Sequence, residues 1–295
     1  MADDYIPYFM RGLQDIPTVS SRLVSSSKYL NHPVIREYVM QESLRKNGRD
    51  FPMTYALPGL FQACYEIRDD KRINEMLADQ CKTKPELAQF FEEAYVSTFT
   101  RQDLAKYGPE TCGGIYYHYL TSNNFEIQLD PRIEMNPSWK PQTMLDFWDL
   151  RSGQTHDLDH LLGGAGFDFL GETTPIFMRI EAYFTYFDDP ELAGALCTMS
   201  SIMALPTLMR TIIHYPSTWP SMSAHITNGM KVGRESEPWF LKKFEPCFPM
   251  SKKEARDYLG MKGVGDVDSW EQSNVWSEGA QGALMENAET AQAAE

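Results

Sequence analysis

Two histidines four residues apart, His156 and His160, enclose an aspartate, Asp157, and a glutamate follows at Glu172. On a helix of 3.6 residues per turn, positions 156, 157 and 160 lie at about 0°, 100° and 40°, so all three project from one sector. Imidazoles at i and i+4 let one helix offer two nitrogen donors to a tetrahedral metal, as in the zinc-binding H-E-x-x-H pattern. The run His156-Asp157-x-x-His160-x11-Glu172 therefore reads as a site for one divalent metal, zinc or another ion such as iron, held by His156, Asp157, His160 and Glu172. Asp157 and Glu172 are also the candidate catalytic carboxylates, with Asp157 placed as a ligand, a general base or a partner that orients a histidine. The competing readings are a surface histidine pair and an HD-type phosphohydrolase. The second needs a separate upstream histidine and downstream aspartate, roles for which the spacing of His118 and Asp168 gives no support.

These residues need two helices and a turn. Met144, Leu145, Trp148, Leu158, Leu161 and Leu162 predict one long helix, with Gly153 as the point where it could break. Gly163-Gly164-Ala165-Gly166 is suited to reversing the chain, because glycine enters positive φ without strain. Thr174-Pro175 then predicts the cap and first turn of a second helix, with Glu172 just ahead of it. Elsewhere, Thr83-x-x-Glu86 and Ser251-x-x-Glu254 read as capping boxes, Asp189-Pro190-Glu191 and Pro33 as helix starts, and Gly260 as a helix stop. Phe125–Leu129 is the clear period-two run. The expectation is an all-α fold: a single multi-helix domain with a metal site between two helices and a hydrophobic pocket or tunnel.

Composition divides the chain into an N-terminal helical extension (1–50), a helical body (51–262) and an acidic tail (263–295) expected to be disordered. That tail holds no Lys or Arg and supplies half of the formal net charge of −14, so the acidity says little about the body. No clustered basic surface suggests nucleic acid. Five dispersed cysteines without a C-x-x-C pair fit a reducing compartment, and an acidic start without an apolar h-region fits the cytoplasm. Between Leu192 and Met230 the sole charged residue is Arg210. The polar interruptions Thr198, Ser200 and Ser201 make a helix buried on all sides, or a pocket wall, the better reading than a membrane span. Candidates for lining a ligand pocket are Phe177, Tyr183, Phe184 and His118, with ordinary core packing as the competing reading for the aromatics. Lys231 and Arg234 are candidates for holding an anionic head group. His214 and His225 read as structural, and Cys112 has no neighbour that would make it a nucleophile.

The metal run resembles the signature of the ubiquinone (coenzyme Q) biosynthesis scaffold family, the fourth of the Coq proteins. The likeness extends to Gly113-Gly114 with Tyr116, Tyr119 and Leu120, and to Gly229-Met230-Lys231-Val232-Gly233, Phe244-Glu245, Phe248 and Ala255–Gly260. It covers roughly residues 55–260, so the body is read as ubiquinone-biosynthesis-like. The resemblance implies a metal at the four motif residues, a hydrophobic tunnel for an isoprenoid or prenylated aromatic molecule, peripheral contact with the inner face of a membrane, and homodimers. It also implies association with other quinone-biosynthesis enzymes and a lyase activity, oxidative decarboxylation of a prenylated hydroxybenzoate ring. The alternative it leaves is a non-catalytic lipid-binding scaffold with a structural metal. This chain departs from the pattern between the histidines, where the family tends to carry an aromatic residue and Leu158-Asp159 stand here.

Overall fold

The computed structural model describes residues 25–44, 57–125, 127 and 138–273. Its elements are α1 (Lys28–Asn31), α2 (Pro33–Leu44), α3 (Leu57–Ile67), α4 (Asp70–Cys81), α5 (Pro85–Glu93), α6 (Arg101–Leu104), α7 (Cys112–Asn123), α8 (Met144–Gly163), α9 (Thr173–Tyr186), α10 (Pro190–His214), α11 (Trp219–Glu235) and α12 (Lys252–Leu259). Among the described residues no strand occurs, only an isolated parallel bridge between Ala165 and Val267. The expectation of an all-α, multi-helix body holds. The alternating run Phe125–Leu129 lies for the most part outside the described residues, as does the tail beyond residue 273.

The long helix α8 runs unbroken through Gly153. One glycine costs a helix about 1 kcal/mol, and the buried face of Leu150, Gln154, Thr155, Leu158 and Leu162 around it outweighs that. A capping box starts the helix: Thr143 Oγ1 accepts from the Asp146 amide while Asp146 accepts from the Thr143 amide. Gly164, at φ 78°, ends it in the left-handed conformation. Helix α9 begins at Thr173, earlier than the expected Thr174-Pro175 cap, because Thr174 Oγ1 bonds instead to His225 Nδ1 at 2.8 Å.

Two further expectations are corrected. Thr83 and Glu86 form no capping box, since the N-cap of α5 falls on Lys84 and the Thr83 hydroxyl turns back to the Gln80 carbonyl. Helix α10 is not buried on all sides. It is 25 residues long with a mean hydropathy of 1.6 over its most apolar window, long and apolar enough to cross a membrane, and 39% of that window is buried. Its inner face carries Ile202 into a small core with Ile35, Tyr38 and Leu60, and Arg210 reaches the buried Glu42 of α2 at 3.3 Å. Leu205, Ile212 and Ile213 stay exposed.

The main core gathers Trp148, Leu158, Leu161 and Leu162 of α8 with Met178, Ala182 and Tyr183 of α9, and with Trp239, Phe240 and Phe248 from the C-terminal turns. Helix α11 meets α9 backbone to backbone at Gly229 and Gly233, where an added Cβ would come within 2.6 Å of the Thr174 carbonyl and 2.4 Å of the Met178 carbonyl. Residues 264–273, grouped by composition with the acidic tail, lie against the body, with Ser269 and Ser273 buried and Trp270 exposed.

Candidate metal centre

Helix α8 presents His156 and His160 one turn apart, the glycine turn reverses the chain, and Glu172 at the start of α9 comes back to face them. The Nε2 atoms of the two histidines are 3.3 Å apart, and Glu172 Oε2 lies 3.2 Å from the first and 3.3 Å from the second. A tetrahedral ion bound at about 2.0–2.1 Å holds its donor atoms about 3.3–3.4 Å apart. The three atoms thus fit one face of such an ion before any ion is considered. Glu172 sits at the N-cap of α9 yet makes no capping bond, so its carboxylate is left for the imidazoles.

The donors are set up chemically as well as geometrically. His160 Nδ1 lies 2.8 Å from the Gly166 carbonyl, an acceptor, so that nitrogen carries the hydrogen and Nε2 carries the lone pair. A lone pair, a second imidazole and a carboxylate then converge, a donor set suited to a metal ion. Protons answer the same geometry. Burial opposes charge on His160, but the Glu172 carboxylate outweighs it and lifts the pKa to about 9. Burial likewise pushes the Glu172 carboxyl up, while His160 and His156 hold it well below the ordinary carboxylate range. His160 is 1% exposed, whereas His156 and Glu172 are 30% and 35% exposed, so the group is part-buried with solvent at two of its three members.

Asp157 stands apart from this triangle, which is made by His156, His160 and Glu172. Its Oδ2 accepts the Tyr116 hydroxyl of α7 at 3.0 Å. Burial, reinforced by the Asp157 charge, pushes the Tyr116 phenol up and keeps it a donor. Tyr119, one turn further along α7, stacks on Phe167 at 3.8 Å between ring centroids and 13° between planes, and Phe167 in turn stacks on His160 at 5.5 Å. Sequence reasoning tied Tyr116 and Tyr119 to the family likeness but gave them no part in the site; their proximity to it is a tertiary fact. Asp159 is fully buried and bonds Arg179 at 2.5 Å and the Trp239 indole at 3.0 Å. Leu158 enters the core, so the departure from the family pattern between the histidines is filled by packing and an ion pair.

The pocket candidates separate. Phe177 lines a crevice with Ile176, Leu208 and Met222 that encloses essentially no volume, far short of the roughly 300–1,000 Å³ of a small-molecule site. Tyr183 is core, its ring packed on Trp148 and Phe240, and Phe184 is 51% exposed. His118, expected inside a core or pocket, is exposed: it lies about 200° round α7 from Tyr116, which takes the inner face. Lys231 is exposed, and Arg234 pairs with Glu181 at 2.8 Å. His214 bonds the Ser43 carbonyl at 3.0 Å, and burial pushes the Cys112 thiol up to about 11. Asp168 is engaged by Ser269, Ser273 and the Gly171 amide rather than facing the histidines.

No protein-family model matches the chain, and none of the curated proteins does. Among solved structures the chain is similar to the crystal structure of a candidate ubiquinone biosynthesis protein from Nostoc punctiforme, at 18% identity and a TM-score of 0.48, over 77% of this chain and 94% of that one.

Proposed function

We propose that the protein is a metal-dependent enzyme acting on a hydrophobic, ring-bearing substrate, with His156, His160 and Glu172 as its ligands. The observation that carries this reading is the triangle of two Nε2 atoms and one carboxylate oxygen with sides of 3.2–3.3 Å, two of whose three side chains are partly exposed. Three protein ligands with an accessible side are the arrangement of catalytic zinc sites, whereas structural sites are closed by four. That favours the enzyme over the non-catalytic scaffold.

A divalent ion held there would act as a Lewis acid on a carboxylate or phenolate oxygen of the ring. The residues around it supply the rest. Asp157, held by Tyr116, is a proton acceptor beside the ligands, and the Tyr119–Phe167 stack gives an aromatic wall next to His160. The sequence resemblance narrows the reaction class to oxidative decarboxylation of a prenylated hydroxybenzoate ring. Loss of carbon dioxide with gain of a hydroxyl at carbon 1 removes two electrons from the ring; water would supply the hydroxyl oxygen, and dioxygen, the oxidant we assign, would leave as hydrogen peroxide. The exposed Leu205, Ile212, Ile213 and Trp219, with Met40 and Leu44 of α2, support peripheral contact with a lipid surface where a prenylated substrate would reside. Homodimers and association with other quinone-biosynthesis enzymes belong to the same reading.

The test is carbon dioxide release from a carboxyl-labelled prenylated hydroxybenzoate by metal-loaded protein in air. Release by the wild type that is abolished in Glu172→Gln is expected. Turnover that survives Glu172→Gln while stability falls contradicts the enzyme reading and leaves the metal a staple.

A further inference from the structure

We infer that residues 264–273 form a strap that positions the metal ligands without supplying one, with Ser269 and Ser273 acting through Asp168. The inference rests on the metal reading above and adds to it the segment that composition assigned to a disordered tail.

The end of α8 is the starting point. A helix leaves its last carbonyls without partners, and here three successive ones are taken by the C-terminal part of the chain. Leu162 O accepts from Arg256 Nε at 2.9 Å, Gly163 O from Asn228 Nδ2 at 2.8 Å, and Gly164 O from the Val267 amide at 2.8 Å. Two of these donors are themselves held by the strap: Asn228 Oδ1 accepts the Gly265 amide at 2.8 Å, and Asp266 accepts Arg256 Nη2 at 2.7 Å. The strap thus seals the last turn of the helix that carries both histidines.

Further along, it grips the loop between the ligands. Asp168 is buried, and its Oδ1 accepts Ser269 Oγ at 2.7 Å, Ser273 Oγ, and the Gly171 amide at 3.2 Å. The Asp168 carbonyl accepts the amide of Glu172 itself at 3.2 Å. Ser273 Oγ also accepts the Leu170 amide at 3.3 Å, and Ser269 Oγ accepts from His225 Nε2 at 2.8 Å, which anchors the strap to α11. Two residues before Asp168 lies Gly166, whose carbonyl fixes the hydrogen on His160 Nδ1. The Asp168 hub therefore has a ligand on each side of it: Glu172, whose amide bonds the Asp168 carbonyl while the neighbouring Gly171 amide bonds its carboxylate, and His160, reached through the Gly166 carbonyl. Partners of this kind commonly change metal affinity by about ten- to a hundredfold when removed.

The experiment uses the full chain and cobalt(II) alone as probe, read by dissociation constant and by the visible absorption spectrum that reports ligand geometry. Ser269→Ala/Ser273→Ala is expected to weaken cobalt binding by about ten- to a hundredfold and to alter the spectrum. Asp168→Ala should do the same, and if it fails to fold the serine pair decides. Leu60→Ala, in the separate core with Ile35 and Tyr38, is the control for lost stability; it should lower the melting temperature and leave affinity and spectrum unchanged. Wild-type affinity and spectrum in the serine variant would overturn the proposal, as would an equal loss in Leu60→Ala. A wild-type chain that takes up no cobalt overturns the metal reading, and the strap's role with it.

Discussion

Glu172 closes the triangle from a second helix, and replacing it with glutamine removes the one negative donor while keeping its shape. Zinc affinity measured by chelator competition should fall at least about a hundredfold in Glu172→Gln, the upper end of what an outer-shell change costs. Tyr116 separates the role of Asp157 from that of a ligand. Tyr116→Phe removes a hydrogen bond to a carboxylate at 3.0 Å and should cost about 1.5–3 kcal/mol in denaturant titration, with zinc affinity nearly unchanged; a loss of about ten- to a hundredfold, the cost of removing a ligand's outer partner, would place Asp157 among the ligands. His225 gives a pH signature. Burial holds its pKa down to about 4 against an ordinary value of 6.5, so between those values the unfolded chain binds the extra proton. Its contribution is present above pH 6.5 and is lost as pH falls towards 4, a change of about 3 kcal/mol. His225→Gln should flatten that part of the stability profile in metal-free protein. An unchanged slope would show that His225 is not held neutral. The two histidines and Glu172 were legible because i, i+4 spacing and a following turn are local properties of the chain. Tyr116 was not, because it meets Asp157 across 41 residues of sequence.

Two contacts fix how the ligand helices lie against their neighbours. The first is Asp159 with Arg179, which ties α8 to α9 at 2.5 Å. Asp159→Ala leaves a nearly buried guanidinium without its partner and should cost about 3–5 kcal/mol, read as a lowered denaturant midpoint. A cost below 1 kcal/mol would mean that water reaches Arg179. The second is the glycine pair of α11, which lets α9 approach until a methyl group would overlap the Thr174 and Met178 carbonyls. Gly233→Ala must push the helices apart and should destabilise by about 1–3 kcal/mol, the range for overpacking. Sequence reading found α8 by its apolar period, and the starts at Pro33, Asp189 and Ser251 by their capping chemistry, but it named no helix at α3, α4, α6 or α11. It misplaced the start of α5 by trusting a Thr-x-x-Glu pattern, because a threonine hydroxyl bonds equally well to a preceding carbonyl, as Thr83 does to Gln80. Asp159 looked like a departure from a family pattern, and its partner Arg179 lies 20 residues on.

At the scale of the whole molecule the all-α architecture was legible from helical period, capping and the scarcity of alternation. The strap at 264–273 was not: its composition reads as part of a disordered acidic tail, yet Ser269 is 1% exposed because His225 and Asp168 satisfy its hydroxyl. Helix α10 was hard for the opposite reason, since an uncharged run does not say which face is covered. A ligand that binds only the folded chain stabilises it by about 2.7 kcal/mol at a hundredfold excess over its dissociation constant, so zinc should raise the melting temperature of the wild type and not of Glu172→Gln. The most direct test of the centre is X-ray absorption at the zinc edge on the metal-replete chain. The predicted result is one zinc per chain with two imidazole nitrogens, one carboxylate oxygen and a further light atom at about 2.0–2.2 Å. A chain that retains no zinc, or a zinc whose shell contains no imidazole, contradicts it.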